Sequence, residues 1–210
     1  MTVKGHIFKG LSAGKSYDTF APLFGLGKSF ISNSIGGLRV LSGMRVLDLG
    51  CGTGRLLFAL AEQSPLDAEF YGCDYSPDQL HYAEKIREKS EHNITFILSA
   101  MDELDFPDSH FDLIMSSMAL HAVNVDFRRS SIMGAARMLK PGGSLLIIDL
   151  ASEPRFGLVS TMFSVLGLSH GKSGYNPAEV DGYCRECGLQ LESECYLNSL
   201  VKRQQYIKPR

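Results

Sequence analysis

The sequence predicts an α/β fold: a doubly wound, mainly parallel sheet of seven strands that ends in an antiparallel hairpin. Three observations predict it. Short apolar runs alternate with helical patterns through the middle of the chain, the order that places helices on both faces of a parallel sheet. The first run, Val46-Leu47-Asp48-Leu49, passes into Gly50-Cys51-Gly52-Thr53-Gly54, with three glycines at alternate positions, and then into a helical stretch. Two strand-like runs close the chain with no helix between them.

Taken in order, residues 1–15 are glycine-rich with few periodic apolar positions. From Tyr17 to Leu41, the spacing of Phe20, Leu23, Phe24, Phe30, Ile31, Ile35 and Leu38 predicts one or two helices ahead of the core. Gly14-Lys15-Ser16 and Gly27-Lys28-Ser29 invite a phosphate-loop reading, but Lys9 and Pro22 stand where GxxxxGKS needs its first glycine. Strands are expected near 44–49, 69–74, 94–99, 111–116 and 144–150, and helices near 54–63, 77–90, 126–139 and 177–187. The closing strands fall near 189–195 and 198–207. Between the fifth strand and the last helix, residues 151–176 carry an apolar stretch rich in Met and Phe. It follows the strand edge where open α/β sheets bind ligands. It suits a lid over an apolar or aromatic substrate. It equally suits packing on the N-terminal helices or on a second subunit, so a homodimer is among the arrangements it allows.

The glycine turn carries the chemistry. Without Cβ atoms its backbone adopts positive φ and approaches a ligand closely. A dinucleotide GxGxxG would need glycine where Arg55 stands. Phe70-Tyr71-Gly72-Cys73-Asp74 reads as a second strand ending in an acid, twenty residues beyond Gly54, and a carboxylate there can accept from both hydroxyls of a ribose. Capping of the helix near Pro77 is the structural alternative for Asp74. Further on come Asp102-Glu103-Leu104-Asp105-Phe106-Pro107 ahead of the fourth strand, and Met138-Leu139-Lys140-Pro141-Gly142-Gly143 ahead of the fifth.

These four ordered motifs, spanning residues 46 to 148, resemble those of the class I S-adenosylmethionine (SAM)-dependent methyltransferases, in the "type 11" or ubiquinone/menaquinone-biosynthesis-like group. The resemblance implies a Rossmann-like domain over 1–210: an N-terminal helical cap (1–41), a SAM-binding core (42–150), the 151–176 insertion, and a late helix with edge strands (177–210). Tyr17-Asp18-Thr19-Phe20-Ala21 resembles the group's opening segment, which often covers the cofactor cleft. The cofactor-binding residues it implies are Asp48, Gly50, Cys51, Gly52, Gly54, Asp74, Tyr75, Met101, Asp102 and Ser117. Asp48 would orient the ammonium group of SAM and Asp74 would hold the ribose. One departure stands out. Relatives commonly carry an Asp after the third strand that holds the adenine amino group, and here the position is Ala100. The Met101 amide can still meet the ring, and Asp102 reaches the amino group if the loop shifts by one residue. Losing one hydrogen bond to a charged group weakens binding by roughly 1.5–3 kcal/mol.

SAM brings an already activated methyl group and leaves as S-adenosylhomocysteine, so positioning supplies much of the rate and a base is needed only for a protonated acceptor. His121, just after the fourth strand, is the best-placed base, although a histidine hydrogen-bonded to fix its loop is the competing reading. Tyr17, His170 and Tyr175 are further candidates. The chain lacks [DN]PP[YFW] after the fourth strand and any Pro-Cys pair, which excludes the exocyclic-amine and cytosine C5 signatures. A small, apolar or aromatic metabolite methylated at C, O or N is what remains. A catalytically inactive SAM-binding regulatory subunit is the alternative that Ala100 favours, and Arg55 with Asp48 argues against a nicotinamide enzyme.

Size and charge agree. At 210 residues and net charge −2, the chain fits one domain without the basic excess of a nucleic-acid-coating surface. The five cysteines include Cys184 and Cys187 as a CxxC, but no second pair completes a metal site and none is expected. A three-thiol arsenic site using Cys195 is the minor alternative to buried free thiols in a reducing cytoplasm. No signal peptide and no run of membrane-spanning length is read, so a cytoplasmic protein without membrane insertion is expected.

Overall fold

The computed structural model describes residues 27–151 and 175–210. The predicted cap before residue 27 and the insertion over 152–174, with Tyr17 and His170, lie outside the described residues. Five helices and seven strands are described. They run α1 (Lys28–Ile35), β1 (Arg45–Leu49), α2 (Arg55–Ala61), β2 (Glu69–Asp74), α3 (Pro77–Arg87), β3 (Asn93–Leu98), β4 (Phe111–Ser117), α4 (Val125–Met138), β5 (Leu139–Leu150), α5 (Pro177–Glu186), β6 (Gln190–Tyr196) and β7 (Val201–Ile207). The sheet order is β3-β2-β1-β4-β5-β7-β6. β1 to β5 pair in parallel, while β7 runs antiparallel to both β5 and β6. Strand order reverses between β1 and β4, which opens the crevice where such sheets bind ligands.

The central strands are apolar because both faces are covered. Val46, Leu47, Phe70, Ile114, Met115, Leu146 and Ile148 are fully or almost fully buried, each contributing roughly 1.5–3 kcal/mol. Helix starts follow local chemistry: Ser76 caps α3 ahead of Pro77, Asn124 caps α4, and Asn176 caps α5. Asp74 is therefore not the cap of α3. At the other end of α5, Gly188 takes φ +78°, and the amides of Gly188 and Leu189 return to Arg185 and Cys184. Cys184 is buried inside that helix and Cys187 half-buried, and all five cysteines are free thiols. Among the described residues, no helix is long and apolar enough to cross a membrane.

Two elements differ from the pattern reading. β5 begins at Leu139, five residues early, because Leu139 pairs with Phe111 before a register shift, and Gly142 and Gly143 bond the backbone of Lys208. The expected Lys-Pro-Gly-Gly turn is thus bridged by the C-terminal strand. A single 3₁₀ turn, Leu120–Ala122, follows β4 where the pattern predicts no element.

Gly54 shows how the strand-to-helix switch is packed. Its φ is +77°, and a Cβ there would lie 2.9 Å from the Phe58 ring and 3.0 Å from that of Phe96. Those rings pack against each other with centroids 5.8 Å apart. Gly54→Ala should cost about 1–3 kcal/mol through overpacking and the left-handed backbone, seen as a lower urea midpoint. An unchanged midpoint would mean that the rings yield freely.

Candidate functional site

The glycine loop is tied to the neighbouring strand at every turn. The amides of Gly50 and Cys51 both donate to the Cys73 carbonyl at 2.9 Å, and the Gly54 amide donates to the Cys51 carbonyl. The Gly52 amide donates to Asp74 Oδ2 at 2.8 Å, while Asp74 Oδ1 accepts from the Ser76 amide at 2.8 Å. Each carboxylate oxygen offers two lone-pair directions, so Asp74 keeps acceptor capacity towards the cleft it lines. Four of the loop amides are thus engaged internally rather than gathered into a phosphate cradle. Gly50 has a second constraint, since a Cβ there would lie 2.5 Å from the Ala119 Cβ.

Above this loop lies a cleft of about 1230 Å³, counting its open mouth. It is lined by Asp48, Gly50, Cys51, Gly52, Asp74, Tyr75, Met101, Asp102 and Ser117, nine of the ten residues expected at a cofactor. Gly54 is the exception. It sits beneath the loop, where it makes room for the two phenylalanine rings. Ala100 also lines the cleft, so the departure from the expected acid falls inside the site. The far wall is apolar: Phe30 and Ile31 come from α1, Met118 and Val123 from the segment after β4, and Phe127 from α4. Met118 is held at φ +52°, its amide bonded to the Ile148 carbonyl at 2.8 Å. Sequence reading missed Met118, because nothing in a methionine signals a left-handed backbone.

Electrostatics single out Asp48. It is 1 % exposed, and its Oδ1 is buried without a hydrogen-bond partner among the described residues. Burial first, and the Asp74 carboxylate second, push its carboxyl up to about 8. Burial also raises the Asp74 carboxyl, against the pull of its backbone amides. The nearby thiols are raised too, Cys73 to about 12, chiefly by burial, and are poor nucleophiles. An orphaned acid beside a second acid disfavours an anionic ligand and favours a cation. A ligand carrying an ammonium group and a ribose diol fits these two carboxylates, whereas a pyrophosphate would meet acids and occupied amides.

His121 sits behind the cleft wall. It is 3 % exposed and is not among the lining residues, although Ala122 and Val123 are. Its Nδ1 lies 2.6 Å from Asp149 Oδ1, and its amide donates to Asp149 Oδ2 at 3.2 Å. Its Nε2 is buried with no partner among the described residues. The Tyr175 ring meets it edge-on at 6.3 Å, and the buried Arg128 guanidinium donates to the carbonyls of Leu120 and Val123. Asp149 went unread, though it carried the same signal as Asp48: an acid inside an apolar parallel strand.

A family model for the methyltransferase domain matches residues 41–175. The chain belongs to this methyltransferase-domain family. It is 32 % identical over 153 residues to the ubiquinone/menaquinone biosynthesis C-methyltransferase UbiE of Pseudomonas paraeruginosa, covering 70 % of this chain and 59 % of that protein. It is 36 % identical over 118 residues to the demethylmenaquinone methyltransferase of Listeria welshimeri, covering 56 % and 49 % respectively. The matches thus span about half to three fifths of these relatives' lengths. Among solved structures, a chain of the complex between the Haloferax volcanii Trm112 methyltransferase activator and a methyltransferase superposes with TM-score 0.75 at 17 % identity over the whole of both chains. A SAM-dependent methyltransferase from Aquifex aeolicus superposes with TM-score 0.66 at 21 % identity, covering 86 % of this chain and 89 % of that one. These likenesses establish the Rossmann-like fold.

The Asp48 carboxyl gives a signed prediction. Its folded-state value lies above the unfolded one, so ionising it opposes folding, and its contribution to stability falls as pH rises from about 4 to about 8. Asp48→Asn removes that loss. Without ligand, thermal melts should show the variant's stability relative to wild type rising across this range and levelling off above it. A difference independent of pH would contradict the assignment.

Proposed function

We propose that the protein transfers a methyl group from SAM to a small, apolar or aromatic metabolite. The observation that carries this reading is Asp48, a buried carboxylate with an unsatisfied oxygen at the base of the cleft. When bound, SAM supplies an electrophilic methyl group on a sulfonium. Asp48 takes the ammonium group and gives up its proton in doing so. Asp74 accepts from the ribose hydroxyls with the lone pairs left by Gly52 and Ser76. Tyr75, a residue 47 % exposed that lines the cleft, offers a flat surface for the base. Gly50, Cys51 and Gly52 form the floor beneath the methionine part, with Met101 and Ser117 across from it.

The apolar wall of Phe30, Ile31, Met118, Val123 and Phe127 supports an apolar acceptor and excludes water from the transfer. The relatives' names, demethylmenaquinone methyltransferase and ubiquinone/menaquinone C-methyltransferase, make a reduced quinone precursor the first acceptor to try. They do not favour the catalytically silent alternative. His121, with its Nε2 buried behind the cleft wall, is proposed to fix the segment after β4 through its bonds to Asp149 rather than to take the acceptor's proton. Tyr17, outside the described residues, is proposed to cover the methionine end. The free thiols suit a reducing, cytoplasmic location.

The test is a thermal-shift titration with SAM, S-adenosylhomocysteine and NADH. A ligand at one hundred times its Kd adds about 2.7 kcal/mol. Stabilisation by either SAM-type ligand, lost in Asp74→Ala and absent with NADH, is expected. Stabilisation by NADH, or by neither SAM-type ligand, would overturn the reading.

A further inference from the structure

The segment from Met118 to Val123, which carries part of the apolar wall, is held from behind by two devices. Strand β5 takes its amides. The Met118 amide donates to the Ile148 carbonyl at 2.8 Å, and the His121 amide to Asp149 Oδ2 at 3.2 Å. One side chain takes its carbonyls. Arg128 Nε donates to the Leu120 carbonyl at 3.0 Å, and its Nη2 to the Val123 carbonyl at 2.8 Å. The guanidinium lies over the Tyr175 ring, 4.9 Å from the centroid. Arg128 is fully buried, yet it is not among the residues lining the cleft.

Burying a guanidinium is costly unless its donors are matched, and here the planar fork spans two carbonyls three residues apart. Its own helix joins this clamp to the cleft. Arg128 follows the cleft-lining Phe127 in α4, and its amide bonds the Asn124 carbonyl at 3.0 Å. Ala122 and Val123, which also line the cleft, lie at the clamped end of the segment. The cofactor floor is supported separately, by the amides of Gly50 and Cys51 on Cys73 and of Gly52 on Asp74. Given the acceptor reading above, on which this rests, we infer that Arg128 is a positioning residue for the acceptor. It fixes the wall against which an apolar ring packs and leaves the cofactor floor to its own supports. A lysine replaces it poorly, because a single ammonium lacks the fork that reaches both carbonyls at once.

The test is calorimetric binding of S-adenosylhomocysteine, and then of dimethylnaphthoquinone to the loaded protein. The second probe is a flat apolar ring whose methyl groups block the positions where thiols add. Arg128→Met should weaken the ring probe about tenfold and change S-adenosylhomocysteine binding by less than about twofold. Arg128→Lys, which keeps the charge, serves if the methionine variant folds poorly, and it should weaken the ring probe about threefold. Tyr206→Phe removes a buried hydroxyl bonded to Asp181, outside the cleft lining, and controls for lost stability alone. It should lower the melting temperature and leave both affinities as in wild type. Unchanged ring binding in the Arg128 variants, or equal weakening of both probes, would overturn the inference while leaving the cofactor reading intact. Wild type that binds S-adenosylhomocysteine but not the ring would overturn the apolar-acceptor reading, and this inference with it. Wild type that binds neither would overturn the cofactor reading as well.

Discussion

The amides of Gly50 and Cys51 share one acceptor, the carbonyl of Cys73, and this double hydrogen bond sets the geometry of the whole site. It folds the loop back onto β2 at the point where the chain would otherwise continue as strand. The Gly52 amide is thereby delivered to Asp74, and the ribose acid becomes part of the loop's own support. The backbone passes so close to Ala119 that position 50 tolerates no Cβ, which ties the loop to the segment after β4 as well. One local bonding pattern thus joins three strand ends around a single cleft.

That arrangement explains why the site is electrically uncomfortable without a ligand. Asp74 is compensated by backbone amides, those of Gly52 and Ser76 among them, while Asp48 has a buried oxygen with nothing to bond among the described residues. The fold bears this cost because the surrounding sheet is densely apolar and holds β1 in place. Buried polar groups left unsatisfied in native proteins call for an explanation. Here a cationic ligand end supplies it, and the pattern repeats at His121, where Asp149 satisfies one ring nitrogen and leaves the other unbonded.

Much of this was legible in the sequence. The parallel strands and their helices follow from apolar runs and helical periodicity, and their described bounds fall within a few residues of those expected. Asp48 stood out because the family resemblance gives it the ammonium group of SAM, and Asp74 because an acid ending the second strand is placed to hold a ribose. What escaped the sequence depends on contacts between distant segments. The early start of β5 requires pairing with Phe111 and bonding to Lys208, neither of which leaves a local trace. Gly54 was read as a ligand-facing glycine because spacing alone cannot tell the cleft side of a turn from its packed side. Asp149 was passed over because its partner lies 28 residues away in the chain.

The most direct test of the account is the proton released when the ammonium group meets Asp48. Calorimetric binding of S-adenosylhomocysteine at pH 6.5, in buffers of low and high ionisation enthalpy, measures it. With the carboxyl near 8 in the free protein, about one proton should leave per ligand bound, and none in Asp48→Asn. Binding enthalpy that is independent of buffer in the wild type, or equally buffer-dependent in the variant, would contradict the claim that this carboxylate is the ligand's counter-charge.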